Sequence, residues 1–208
     1  MFVKYLTACA AFVSLSACDE PLAATRNIAD FNQAYATYGD LLSSPSSAAP
    51  SGGGTFKGKI TSNARIDDLN VYKILGDMAM DIDFERSGVN VSGAITNINL
   101  FDLRSVTGDQ RMTNGNGENG SLTIVGLRTG SSIRANATGR LGAVLPDVNG
   151  DSTSLETSAN INLNMSGNVR TTNNVSDTVL GTFNNIGRAS DTNGMIVQTS
   201  GGEFYGMN

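Results

Sequence analysis

The chain has no histidine and no tryptophan, and only two cysteines and four prolines in 208 residues. Each shortage excludes something. Without histidine there is no Ser-His-Asp triad and no His-ligated zinc or haem. Nor is there a side chain whose ordinary titration falls near neutral pH. Cys9 and Cys18 are too few for a disulfide framework. Charged residues make up only 16%, with 14 Lys and Arg against 19 Asp and Glu, for a net charge of -5. A sequence-independent grip on nucleic acid needs a cluster of cations that this balance does not supply, so no nucleic-acid partner is expected. What is abundant is glycine, at 24 residues, together with asparagine. The length suits one domain with terminal extensions.

The N-terminus is organised as an export signal. Lys4 supplies a positive n-region, and Leu6 to Leu15 (LTACAAFVSL) form an apolar run too short to span a bilayer. Leu15-Ser16-Ala17-Cys18 follows and resembles the bacterial lipobox. The resemblance implies that residues 1–17 are a signal peptide removed before Cys18, and that Cys18 is the lipidation site, carrying palmitate-type chains. Several acyl chains anchor a protein firmly, at about 0.8 kcal/mol per buried methylene. Cleavage leaves Cys18 as the single cysteine, already acylated, so no thiol remains for catalysis or metal binding. The expected location is the cell envelope, at the outer membrane or cell surface. Asp19 directly after the cysteine resembles an inner-membrane retention signal and keeps that membrane open as the alternative.

Residues 18–54 are expected to be a lipidated tether. Residues 19–26 carry no period and are expected to be flexible. From Asn27, a candidate cap, Ile28, Phe31, Tyr35, Tyr38 and Leu42 recur at steps of 3 and 4, the stripe of a short amphipathic helix. Such a stripe either packs on its own domain, the preferred reading, or docks a partner. Ser43 to Gly54 (SSPSSAAPSGGG) is a Ser/Pro/Gly linker. The folded domain is placed at 55–208.

From Thr55 the period becomes two. Met78, Met80, Ile82 and Phe84 alternate with Ala79, Asp81 and Asp83. Ile133, Ala135 and Ala137 alternate with Arg134, Asn136, Thr138 and Arg140. Ala159, Ile161, Leu163 and Met165 alternate with Asn160, Asn162, Asn164 and Ser166. One buried and one wet face is the pattern of antiparallel strands. Turn signals separate them at Ser87-Gly88, Asn114 to Gly120, Thr129-Gly130, Asn149-Gly150 and Asn193-Gly194. Strands are predicted near 55–61, 71–84, 89–100, 121–128, 131–143, 155–169, 178–186 and 193–199, with a terminal piece at 202–205 and a turn near 101–112. The fold class is therefore all-β. A single eight-stranded antiparallel up-and-down β-barrel leaves no exposed edge, and a two-sheet sandwich is the structural alternative. Small and flexible apolar positions (Ala79, Ala94, Ala135, Ala137, Ala159, Met78, Met80, Met165) suit a filled interior.

Two stretches carry a family resemblance. Leu75 to Phe84 (LGDMAMDIDF), followed by Val91 to Ile98 (VSGAITNI), looks like a hairpin of the transferrin-binding protein B barrel. Gly201 to Asn208 (GGEFYGMN) is similar to that family's signature near the last hairpin. The resemblance is to the transferrin-binding protein B-like and factor H-binding protein-like lipoprotein barrels, over roughly residues 55–208. It implies an eight-stranded barrel on a lipidated stem at the Gram-negative surface, presented to a host or envelope protein. The family's handle domain, which makes much of the transferrin contact, has no counterpart in residues 55–208. An incomplete last strand would leave an unpaired edge.

Chemistry-bearing groups are sparse. Asp147, Asn149 and Asp151 open a D-x-N-x-D pattern, but Ser152 replaces the turn glycine and Glu156 falls two positions early for a calcium loop, so a polar hairpin turn is preferred and no metal is expected. Asp81 and Asp83, and Asp67 and Asp68, are carboxylate pairs that would need burial to divide acid and base roles, and a solvated face is preferred. Asn114 to Gly120 lacks the lysine and spacing of a phosphate loop and is expected to be flexible. Arg134, Arg140 and Arg170 sit on polar faces and are compatible with an anion. The expected function is non-enzymatic, with no cofactor and no catalytic residues. It is a lipid-anchored binding protein using its long polar loops 104–120 and 144–154. The alternative is a lipocalin-like carrier with a small ligand inside the barrel.

Overall fold

A computed structural model describes residues 20–43, 52–66, 69–103, 109–114, 116–145, 155–172, 175–185, 188–190 and 196–208. The signal sequence 1–17, Cys18 and Asp19 lie outside the described residues, as do linker residues 44–51, Asp67, Asp68, residues 104–108, 146–154 and Asn193-Gly194. So do the side chains of Asn27, Leu42, Glu156 and Arg170.

The helix α1 spans Glu20–Ser43. Strand β1 is Gly53–Ile66, β2 Leu69–Asp83, β3 Val91–Asp102, β4 Asp109–Arg111 and β5 Leu122–Thr129. Then come β6 Ser132–Leu145, β7 Leu155–Thr172, β8 Val175–Asn185, β9 Arg188–Ser190 and β10 Ile196–Met207. Every pairing is antiparallel. The order β1-β2-β3-β5-β6-β7-β8-β10 returns to its start, because β1 and β10 pair from Lys57–Met207 to Ile66–Val197. The eight long strands thus close an up-and-down barrel, with β4 and β9 as short additions. The terminal piece and the strand expected at 193–199 are one strand, and it leaves no open edge between β1 and β8.

The turn expected near 101–112 contains β4. The start of β3 pairs with β5 (Val91–Gly126 to Ile95–Leu122), and its end pairs with β4 (Asn99–Arg111 to Phe101–Asp109). Just past β4, Thr113 exchanges backbone hydrogen bonds of 2.8 and 2.6 Å with Gly142 of β6. One stretch of wall is therefore built from two chain segments end to end.

Period two decides which side chains enter. Phe56, Ile60, Met78, Met80, Ile82, Ile95, Ile124, Ile133, Ile161, Leu163, Phe183 and Phe204 belong to one continuous buried cluster. Each large apolar side chain contributes about 1.5–3 kcal/mol by leaving water. Ala135, Ala137, Ala159, Met78, Met80 and Met165 are inside as expected. Ala79 and Ala94 are not: they face each other across β2 and β3 on the outer wall, because each sits one residue away from an inward side chain. Bulk inside is accommodated by glycine instead. Gly167 and Gly181 are opposite each other, and a Cβ on either would lie within 2.8 Å of the Phe204 ring tip.

One barrel end is closed by Phe84, Asn90 and Arg128. The Phe84 ring meets Phe56 edge-on at 6.4 Å, and the Arg128 guanidinium lies 5.1 Å over it. Arg128 also donates to the Phe84 carbonyl at 2.8 Å and the Gly130 carbonyl at 2.6 Å. The Asn90 side chain accepts from Arg128 N–H at 2.6 Å and donates to the Arg86 carbonyl.

The helix packs on the barrel's outside, the preferred of the two expectations. Phe31, only 1% exposed, joins Leu75 and Phe101, with Ile28, Tyr35 and Tyr205 around it. Residues on β2, β3, β8 and β10 meet this stripe, so α1 crosses the β1–β10 seam. The helix also starts earlier than expected. Residues 20–26 are helical rather than a flexible tether, and Asn27 lies inside the helix rather than capping it. Pro21 is tolerated in a first turn, Glu20 suits a helix N-terminus, and Ala23 and Ala24 are strong helix formers.

Candidate binding surfaces

The described interior side chains pack against one another as a single cluster. Two hollows lined by described residues are on the wall. One of about 280 Å³ lies between the ends of β1 and β2 and the 84–90 turn, beside Asp81, Asp83 and Arg86. A larger one, of about 420 Å³, lies where β8 and β10 part company.

The carboxylates of Asp81 and Asp83 lie on a solvated face, and both residues are exposed. Asp81 accepts a hydrogen bond from the Thr55 hydroxyl at 2.5 Å. Asp83 accepts from the Glu85 and Arg86 N–H groups at 2.9 and 3.0 Å, which shapes the turn after β2. The arginines are also apart. Arg134 and Arg140 are six residues distant on β6, about 20 Å at strand rise. Arg140 donates to the Ser158 hydroxyl at 2.9 and 2.6 Å. Among the described residues no three metal-ligating side chains converge.

The two loops expected to bind, 104–120 and 144–154, connect β3 to β5 and β6 to β7. Both connections leave the same end of the barrel, the end opposite Phe84. In the first, described residues 112–114 and 116–120 are more ordered than a flexible run of Asn and Gly suggests. Gly120 N–H donates to the Met112 carbonyl and Asn114 N–H to the Glu118 carbonyl, both at 2.9 Å. The Asn114 amide donates to the Glu118 carboxylate at 2.8 Å. Met112 plugs the core, and residues 116–119 are exposed above it.

The wall beside the helix carries a second polar network. Lys59 donates to Asp77 at 2.7 Å, Asn97 donates to the other Asp77 oxygen at 2.8 Å, and Arg111 donates to Asn97 Oδ1 at 2.7 Å. Partial burial pushes the Asp77 carboxyl up, but the hydrogen bonds from Lys59 and Asn97 and the Lys59 charge outweigh it and hold the group below its ordinary value. Tyr205 lies 5.3 Å from Phe31 and 5.0 Å from Tyr38. Burial first, then Tyr38, Asp77 and Asp30, raise its phenol, while burial and Glu203 raise that of Tyr35. Both phenols stay protonated at neutral pH, as hydroxyl donors.

The larger hollow was not legible from the sequence. Thr61 and Asn63 of β1, Lys73 of β2, Thr182 and Asn184 of β8 and Glu203 of β10 line it. They are scattered over 143 positions of sequence and meet only because β10 returns to β1. The one local signal is Gly201-Gly202. Gly201 has φ +47, and β10 shifts register there against β1.

No helix among the described residues is long and apolar enough to cross a membrane. Comparison with family models, with curated proteins and with solved structures finds no match to this chain.

Proposed function

We propose that this protein is a lipid-anchored binding protein of the cell envelope, tethered through Cys18 and similar to the transferrin-binding protein B-like surface lipoproteins. Its barrel presents the 104–120 and 144–154 loops to a host or envelope protein. The observation that carries the reading is the packed interior: with the described inward side chains in one buried cluster, the outer surface and loops are the contact area. Two of the longest connections leaving one end together supports a single binding face. The role is non-catalytic and needs no cofactor. Outer membrane or cell surface is the proposed location, with the inner membrane as the alternative because of Asp19.

Two experiments test this. Cells expressing the chain are fed labelled palmitate: incorporation is expected in the native sequence and not in Cys18→Ser, and an unlabelled native chain rejects the anchor. The full chain is then used as bait against whole cells and serum, beside a version with residues 114–120 shortened to a two-residue turn. A partner captured by the first and lost by the second supports the reading. A small apolar molecule released on denaturing the purified protein would favour the lipocalin-like alternative.

A further inference from the structure

We propose that the 420 Å³ hollow on the β1–β10 seam is a binding site for a short zwitterionic peptide, with Lys73 taking its carboxylate and Glu203 its ammonium. No described residue of the 104–120 or 144–154 loops lines it.

The lining is polar and carries both signs of charge. It holds one cation, one anion, the amides of Asn63 and Asn184 and the hydroxyls of Thr61 and Thr182. Neither Lys73 nor Glu203 makes a salt bridge with a described residue, whereas Lys59 one turn of the pleat away is bonded to Asp77. Thr61 is 4% exposed, yet its Oγ1 finds no hydrogen-bond partner. A buried hydroxyl left unpaired costs about 1–3 kcal/mol, and a turn of the Thr61 side chain would present it to a group in the hollow.

The spacing selects the ligand. Lys73 is opposite Asn63, and Glu203 is opposite Thr61, with β1 between them. Two strand spacings across and two residues along place their Cα atoms about 12 Å apart. The two side chains point from the same outer wall and leave a gap that a peptide's opposite termini can bridge. The volume falls in the range of small-ligand sites, roughly 300–1,000 Å³, and exceeds what a single small amino acid fills. The amides of Asn63 and Asn184 both donate and accept, as a peptide bond requires. Gly202 is required by the core beneath the hollow, since a Cβ there would strike the buried Phe183 ring and the Thr61 carbonyl.

The test is calorimetric titration of the full chain in detergent with dialanine and trialanine, beside N-acetyl and C-amide forms of each. Saturable binding of the free peptides is expected, at least tenfold weaker for either capped form. Lys73→Met should abolish the difference between carboxylate and amide, and Glu203→Gln the difference between ammonium and acetyl. Both variants replace outward side chains, and unchanged thermal unfolding verifies that they fold. Capped and free peptides binding alike would overturn the proposal. So would glucose binding as well as dialanine, or the absence of saturable heat at millimolar peptide.

Discussion

Asn97 has φ +49, the only non-glycine residue in the left-handed region among those described. It sits where β3 gains a residue over β2: Leu75 pairs with Asn99, but Asp77 pairs with Thr96. Most L-residues pay about 1–2 kcal/mol for this conformation, and asparagine tolerates it best. Here its side chain also joins Asp77 to Arg111. Asn97→Ala is expected to lose about 1–3 kcal/mol, from backbone and bonds together, while Asn97→Gly loses only the bonds. Denaturant midpoints compare the two, and a glycine variant as weak as the alanine one would remove the backbone from the account. The same cluster sets a pH dependence. Asp77 is held below its ordinary carboxylate value when folded, so the unfolded chain takes up its proton first. Its contribution is complete above the unfolded value, near pH 4, and is lost as pH falls through the folded one. With the side chain 43% exposed, solvent screening limits the effect to under about 1 kcal/mol. Lys59→Met should flatten the acid limb of stability against pH, and an unchanged limb would contradict the assignment.

At the scale of the element, α1 is an addition to a barrel that closes without it. Its apolar side rests on Leu75, Phe101 and Tyr205, which are outward residues of the wall. Phe31→Ala should therefore undock the helix and leave the barrel folded. Hydrogen exchange is the readout: amides of 28–39 should lose protection while those of β6 and β7 keep theirs. Collapse of protection throughout would make the helix part of the cooperative core. This is also where sequence reading divides. The stripe at Ile28, Phe31 and Tyr35 was visible because a helix declares its buried face every three or four residues. β5, β6 and β7 were visible because a half-buried strand declares its own every two. β4 was not, since three residues (Asp-Gln-Arg) hold too little pattern and their pairing with β3 is decided by tertiary closure. Leu75 and Phe101 also broke the rule of polar outward positions, for a reason only the docked helix explains. The pocket around Lys73 and Glu203 was illegible on the same ground: no local period links β2 to β10.

For the whole molecule, closure is the step that sets the order of events. All the other barrel pairs join strands that follow one another or are separated by one short addition, but β1 and β10 join residues 57 and 207. Bringing distant segments together costs loop entropy before any contact offsets it, so local hairpins such as β5–β6, held by a turn at Gly130, form ahead of the seam. Phe204 reports on the docking of β10. It lies fully buried in β10, with its ring between Gly167 and Gly181 of β7 and β8. Phe204→Ala is expected to cost about 3–5 kcal/mol, as large aromatic truncations in cores do. If closure follows the rate-limiting step, nearly all of that loss falls on unfolding, which should accelerate by about two to four orders of magnitude while folding is almost unchanged. Ile133→Val in the β5–β6 hairpin should do the reverse and slow folding. Stopped-flow chevrons of the two variants separate the cases. A Phe204 variant that folds slowly and unfolds at the native rate would place the seam in the nucleus and invert this order.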